Sequence, residues 1–401
     1  MTKVHGTVAP GFERVRDEFA RNFSHRKELG AACAVEVGGK RVVDLWGGVR
    51  DATTRAPWTE DTMVLVFSTT KGMAAIALAV AHSRGLFEWD QPVAKYWPEF
   101  AQQGKGAITV RQLVSHQAGL CGVDEPFDAN KLADLDLVAK ALAAQAPAWE
   151  PGTRHGYHAI SIGWYLGELV RRVDPKRRSL GRFFHDEVAT PLSIDFYIGL
   201  PDSVPRERVA SIEMRSRLSL LLHLNTLPWR FVRDIMKPKT LTARSFNNPR
   251  VRGSATLDTP AYRAVEMPAS NGIGSARAIA RAYGALATGG RELGIQQATL
   301  GALMKPPTRP RDGSYDLVLH VDTAFSCGFL KPCGVCKFGS SGTAFGTQGA
   351  GGSFGFADPD IGLGFAYVMN RMGFHVADDP REKALRDATY ACLAATRRRS
   401  A

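Results

Sequence analysis

Strand-like segments sit at the two ends of this chain and helical ones fill its middle. That distribution constrains the fold more than any single motif. Apolar positions recur with helical spacing over 11–29, at Phe12, Val15, Phe19 and Phe23. Residues 31–48 alternate around a Gly38-Gly39 turn and predict a β-hairpin. A short apolar run, 63–67, leads into an Ala-rich helix over 73–83 that Gly85 stops. Helical patterns follow over 109–115, 132–144, 161–173, 180–188 and 276–287. Strands are expected at 315–321 and 361–370, and a closing helix at 380–396. The economical fold class is α+β: an antiparallel sheet flanked by helices and built from both termini, plus a mostly helical inserted domain. We expect residues 1–72 and 290–401 to form the α/β domain and 73–289 the helical one. The latter includes a basic insertion at about 201–266. A ligand site belongs in the crevice between the two.

Composition narrows the classes. The chain has 401 residues, 44% hydrophobic and 22% charged, as a globular protein of two or three structural units has. No apolar run approaches the ~18–20 residues of a membrane helix. The best, 218–227, is interrupted by Ser219, His223, Asn225 and Thr226. The N-terminal segment lacks a secretory apolar region, so a cytoplasmic location is expected. The six cysteines are then expected as free thiols. Net charge is +12, and residues 203–263 hold twelve Lys or Arg against four Asp or Glu. No nucleic-acid-binding signature accompanies that excess, so it is read as a solvated basic insertion without a nucleic-acid partner. Segment 218–227 is expected as a pocket cap or a packed insertion, with membrane association not favoured.

Three constellations carry chemistry. Ser68 and Lys71, at i and i+3 on opening a helix, put hydroxyl and amine on one face. A desolvated pocket and the helix N-terminus favour a neutral amine, which can take the serine proton. Ser24 and Lys27 have the same spacing, but in a polar helix with no strand feeding it, so Ser24 is set aside. A Pro151-Gly152 turn brings Tyr157 to the start of an amphipathic helix, where its hydroxyl could relay a proton. The glycine-rich run 345–355 suggests close backbone approach to a ligand, with N–H groups free to hold an oxyanion.

Together these segments resemble the serine β-lactamase and penicillin-binding-protein superfamily, in its class C-like branch with the family VIII carboxylesterases and β-lactamase-domain proteins. Ser68-Thr69-Thr70-Lys71 is similar to the first family motif. The segments from Gly85 to Val93, from Ile108 to Leu120 and from Pro151 to Gly163 resemble later blocks, in family order. The resemblance covers roughly 30–200 and 268–370. It implies a β-lactamase/DD-peptidase-like fold, Ser68 as nucleophile, Lys71 as base and Tyr157 as acid–base group. The implied oxyanion hole is the backbone N–H groups of Ser68 and Ala350. Substrate-pocket candidates are His158, Thr347, Gln348 and Gly349, with no cofactor and no metal.

Two departures from the pattern bear on substrate. Tyr157-His158-Ala159 stands where class C β-lactamases carry Tyr-x-Asn, and Thr347-Gln348-Gly349 where they carry Lys-Thr-Gly. An amide and a cation that would contact a β-lactam are missing, and losing a charge-assisted contact costs a few kcal/mol. The reading is a serine carboxylesterase acting on small-molecule esters with short-to-medium acyl chains. The alternatives are a β-lactamase, D-amino-acid peptidase or acyltransferase using the same acyl-enzyme, or a catalytically silent binding or scaffold protein. Ser353, in a Gly-x-Ser-x-Gly pattern, is a weaker nucleophile candidate because the acid and His that follow leave no room for the sheet that motif needs. Cys327, Cys333 and Cys336 lack an evident fourth zinc ligand. His155 and His158 are expected in the site wall or the structure, and His116 as the support of its loop.

Overall fold

The alternating segments at both ends meet in one sheet. The computed structural model describes residues 2–214, 226–251, 253–307 and 309–400. Among the described residues there are eleven strands, numbered in chain order: β1 (Val4–Val8), β2 (Gly30–Val37), β3 (Lys40–Gly48), β4 (Val64–Leu65), β5 (Phe196–Tyr197), β6 (Ile273–Gly274), β7 (Phe325–Ser326), β8 (Phe329–Leu330), β9 (Phe345–Gln348), β10 (Phe354–Asp358) and β11 (Leu363–Met369). The large antiparallel sheet has the order β1-β3-β2-β11-β10-β9-β8-β7. The N-terminal hairpin joins the C-terminal strands through β2 and β11, with Ala34 opposite Ala366. The remaining strands form a small sheet, β4-β6-β5.

Helices cover both faces. Those numbered in chain order are α1 (Glu13–His25), α2 (Thr69–Ser83), α3 (Val110–Val114), α4 (Leu135–Ala144), α5 (Ser161–Val173), α6 (Leu180–Phe184), α7 (Trp229–Ile235), α8 (Leu241–Phe246), α9 (Ala276–Ala287) and α10 (Pro380–Ser400); other helical segments, Gln297–Met304 among them, lie between and are left unnumbered. Along β11 the pleat divides two cores. Phe365 and Tyr367 join Val15, Phe19 and Leu385 from α1 and α10. Ala366 and Val368 join Ile279 and Tyr283 of α9 and the helical half. Small residues let α9 lie close: a Cβ on Gly364 would sit 2.3 Å from the Gly284 nitrogen. The helix over 276–287, grouped by sequence with the helical unit, therefore belongs to the face of the sheet.

Two other expectations change. The strand expected at 315–321 is a loop folded around the Asp316 carboxylate, which accepts the N–H groups of Val318 and Leu319 at 2.8 Å each. A buried acid inside an alternating pattern offered the backbone a better partner than a neighbouring strand. The helix expected over 180–188 changes at His185 into a π-helical turn, His185–Ala189. Segment 218–227 lies outside the described residues except for Thr226 and Leu227. Among the described residues no helix is long and apolar enough to cross a membrane.

Candidate active site

α2 presents the candidate pair Ser68 and Lys71 at its first turn and is the central helix of the molecule. Thr69 to Ala81 are all buried, so this helix is apolar all round rather than amphipathic. Its four larger aliphatic side chains, Met73, Ile76, Leu78 and Val80, each contribute roughly 2 kcal/mol of burial. The helix is thereby fixed against β9 and the helical layer, and its first turn is a rigid platform. Gly72 is required there: a Cβ would lie 2.0 Å from the Tyr283 hydroxyl and 2.8 Å from Thr347 Oγ1. Ser68 is the N-cap residue, preceded by Phe67 at φ 48°, a conformation non-glycine residues seldom hold.

Lys71 points from the first turn of α2 back toward Ser68. Its Nζ lies 3.0 Å from Ser68 Oγ, 2.6 Å from the Ala159 carbonyl and 2.9 Å from that of Ala269. Among the described residues no carboxylate pairs with it. Burial without a counter-charge holds its pKa well below the usual lysine range. A neutral amine has two N–H groups and one lone pair. The two carbonyls take the N–H groups, and the lone pair is left facing the Ser68 hydroxyl, which can donate to it.

Tyr157 lies over the pair. Lys71 Nζ is 4.7 Å from its ring centroid, and its hydroxyl is within hydrogen-bonding reach of Ser68. Burial pushes the phenol pKa up, so the tyrosine is protonated. Several groups fix its backbone. Its N–H donates to Asp316 Oδ1 at 3.1 Å, and its carbonyl accepts the Ser245 hydroxyl at 2.6 Å. His116 packs its ring 4.9 Å from the tyrosine ring, and its carbonyl accepts the Gly156 N–H. Sequence reading missed Asp316 and Ser245. The one signal for Asp316 was a charge interrupting an apolar alternation.

The glycine-rich turn closes the opposite side. Ala350 stands exposed at the end of β9, and Gly351 and Gly352 follow at φ 87° and 116°. Among the described residues neither the Ser68 nor the Ala350 N–H donates to a backbone carbonyl. Both residues line the same cavity of about 300 Å³, as do Lys71, Tyr157, Thr347, Gln348 and Gly349. Its remaining wall is mostly apolar, with Phe231, Phe246, Leu319, Phe325 and Val376 among the contributors, and His116, Thr323 and His375 as its polar members. The sequence candidates thus converge, with one correction. His158 is fully buried and does not line the cavity: its Nε2 accepts the Leu120 N–H at 2.9 Å and its Nδ1 meets the Gly156 carbonyl at 2.6 Å. Burial pushes its pKa down to about 3.

The set-aside residues have structural partners. Ser353 Oγ donates to the Val66 carbonyl at 2.9 Å and is buried at the start of β10. Ser24 lies exposed on α1. Cys333 and Cys336 face each other across a tight hairpin. Among the described residues no group of three or more His, Cys, Asp or Glu could hold a metal ion.

The chain is 35% identical to the esterase/beta-lactamase LipL of Mycobacterium tuberculosis over 92% of its own length and 83% of that protein's. A crystal structure of a family VIII carboxylesterase superimposes with TM-score 0.85 at 39% identity, covering 97% of this chain and all of the other. A penicillin-binding-protein homolog from Caulobacter crescentus does so with TM-score 0.83 at 37% identity over the same shares. The Beta-lactamase family model matches residues 17–390, and the chain belongs to that family.

Proposed function

We propose that this protein is a serine carboxylesterase working through an acyl-enzyme on Ser68. The observation that carries the reading is the buried Lys71 amine, without a carboxylate partner among the described residues, 3.0 Å from the Ser68 hydroxyl. Ser68 Oγ attacks the ester carbonyl as its proton passes to Lys71 Nζ. The oxyanion settles between the Ser68 and Ala350 N–H groups, an effect worth about 3 kcal/mol per donor. The C–O bond breaks, and the departing alkoxide takes a proton delivered through Tyr157 and Lys71. A water then loses its proton to the same pair, attacks the acyl carbon, and frees Ser68 and the acid. Every atom that moves comes from substrate, water and these side chains.

The cavity wall supports an uncharged substrate. Lys71 is the one Lys or Arg among the described lining residues, and it is committed to Ser68. Nothing there matches the cation that holds a β-lactam carboxylate. Phe231 and Phe246, from the segment expected as a basic insertion, face the cavity and suit short-to-medium acyl chains.

The test is turnover of p-nitrophenyl butyrate against a chromogenic cephalosporin, in wild type, Ser68→Ala and Ser353→Ala. Ester turnover lost only in Ser68→Ala, with little cephalosporin turnover, supports the reading. Loss in Ser353→Ala with Ser68→Ala active overturns it. Faster turnover with ester products on adding an acceptor alcohol makes the enzyme an acyltransferase. Absence of labelling by a serine-reactive phosphonate makes it a silent binding protein.

A further inference from the structure

Behind the Gly349–Gly352 turn lies a buried charged network that the mechanism above does not use. Arg381, in the first turn of α10, is buried together with Glu28 and Asp379. Its guanidinium has five N–H groups, and all five are used. Nε donates to Asp379 Oδ1 at 2.9 Å. Nη1 donates to Glu28 Oε1 at 3.2 Å and to the Arg371 carbonyl at 2.9 Å. Nη2 donates to Asp379 Oδ2 at 2.9 Å and to the Gly351 carbonyl at 2.6 Å. One rigid fork therefore ties together the start of β2, the end of β11, the helix α10 and the turn that presents the Ala350 N–H.

Buried ion pairs often add little stability over apolar packing of the same volume. Their retention here has a positional use. The Gly351 carbonyl is two peptide units beyond the Ala350 N–H, and it also accepts the Gly373 N–H at 2.9 Å. On the other side of the turn, Gly349 donates to the Ser353 carbonyl at 2.7 Å, and Ser353 Oγ reaches the Val66 carbonyl beside the nucleophile. The left-handed glycines between are the soft part. A free turn of that kind could rotate its amide away from the reacting carbonyl, and an oxyanion donor works only when its direction is set beforehand.

We infer that Arg381 is a positioning residue for the oxyanion hole: its guanidinium, clamped by Glu28 and Asp379, holds the Gly351 carbonyl and so aims the Ala350 N–H at the substrate oxygen. This rests on the reading of Ala350 as an oxyanion donor. Lysine cannot replace it, having three donors and no planar fork.

The experiment compares an ester with its thionoester, in which the carbonyl oxygen is replaced by sulfur, a poorer and larger acceptor. A preset oxyanion hole prefers the oxygen substrate. We expect a strong oxo-over-thiono preference in kcat/KM in wild type. In Arg381→Lys, kcat falls about 30-fold or more with KM within about threefold, and the preference drops at least about tenfold. Asp379→Asn, which removes a smaller part of the clamp, moves both readouts the same way by less. It decides the question if Arg381→Lys does not fold. Arg386→Lys is the control: Arg386 is equally buried on α10, on Asp378 and the Lys337 carbonyl, and does not touch the turn. It should lower thermal stability and leave the preference intact. A wild-type enzyme with no oxo–thiono preference removes the Ala350 reading itself. A wild-type preference that survives in Arg381→Lys and Asp379→Asn, or one that Arg386→Lys abolishes equally, overturns the role of Arg381.

Discussion

Lys71 and Lys105 are both buried, both lack a carboxylate partner among the described residues, and both place Nζ among three oxygens. Under the proposed mechanism they do opposite things. Lys105 meets the carbonyls of Gln102, Ala143 and Gln145 at 2.7–2.8 Å. Three acceptors ask for three N–H groups, so the site is made for an ammonium that fastens the chain before α3 to the end of α4. Its pKa, lowered by burial to about 8, still leaves it mostly charged at neutral pH. Lys71 has two carbonyls and one hydroxyl, and a hydroxyl can donate. Exchanging one acceptor for a group that can give a proton turns a structural clamp into a base. Burial alone does not identify a reactive lysine, and the third partner does.

The comparison breaks most sharply under substitution. Lys71→Met should lower kcat by about 10⁴-fold and lower stability by less than Lys105→Met does, since two buried carbonyls rather than three lose their donor and removal of a desolvated amine offsets part of that loss. Lys105→Met should leave kcat within about twofold and lower unfolding stability by about 3 kcal/mol, because three buried carbonyls lose their donors. Initial rates and denaturant unfolding of the two variants measure both. A Lys105→Met enzyme that is stable but inactive would reverse the assignment.

Tyr157→Phe should follow with a loss of about 10²- to 10³-fold in kcat, since proton delivery to the leaving group is impaired while Lys71 can still accept from Ser68. In kcat/KM, which reports acylation and not the later attack of water, the loss should shrink for esters whose alcohol leaves without help, such as nitrophenyl esters. An equal loss in kcat/KM for alkyl and nitrophenyl esters would place the tyrosine in a packing role instead.

The pH profile sharpens the distinction further. In the proposed mechanism Lys71 works as the neutral base, so kcat/KM should climb with pH as it deprotonates and reach its plateau well before free lysine would titrate. Lys105 titrates near 8, yet the kcat/KM profile of Lys105→Met should overlay wild type. An inflection near pH 8 that disappears in Lys105→Met would couple that residue to the chemistry.

Residue spacing pointed to Ser68, Lys71, Tyr157 and the glycine-rich run 345–355 because each stands at a junction of elements: strand into helix, turn into helix, strand into turn; Ala350 within that run was singled out only by the family resemblance. Periodicity also exposed the sheet shared by both termini, since strand faces are written locally as alternation. Lys105, Asp316 and Arg381 stayed hidden for a common reason. Each is a polar residue whose meaning lies in carbonyls and amides far along the chain: Lys105 with Gln145, Asp316 with Tyr157, Arg381 with Gly351. Backbone acceptors carry no sequence signature. Asp316 also overrode the alternation at 315–321, and α9 was grouped with the wrong layer because Gly355 and Gly364, which admit it to the sheet, read from sequence only as gaps in a strand.

His158 supplies the smallest effect and a third way of burying a nitrogen base. Like Lys71 it is neutral, but both ring nitrogens are engaged by backbone, Nε2 as acceptor and Nδ1 as donor. No lone pair is left for chemistry. Its folded pKa, pushed down to about 3, lies below the unfolded value near 6.5. The unfolded chain therefore binds the extra proton between those limits, and the stability present above pH 6.5 is lost as pH falls through the window. Between pH 7 and pH 5 the loss is about 2 kcal/mol from this residue. Urea midpoints should accordingly drop less steeply with acid in His158→Asn than in wild type, although the variant begins lower at pH 7 for want of one backbone contact. The kcat of both should keep the same pH dependence above pH 6, because the imidazole never enters the cavity. A kinetic inflection that moved with His158 would place it beside Lys71 rather than Lys105, among the bases that face substrate.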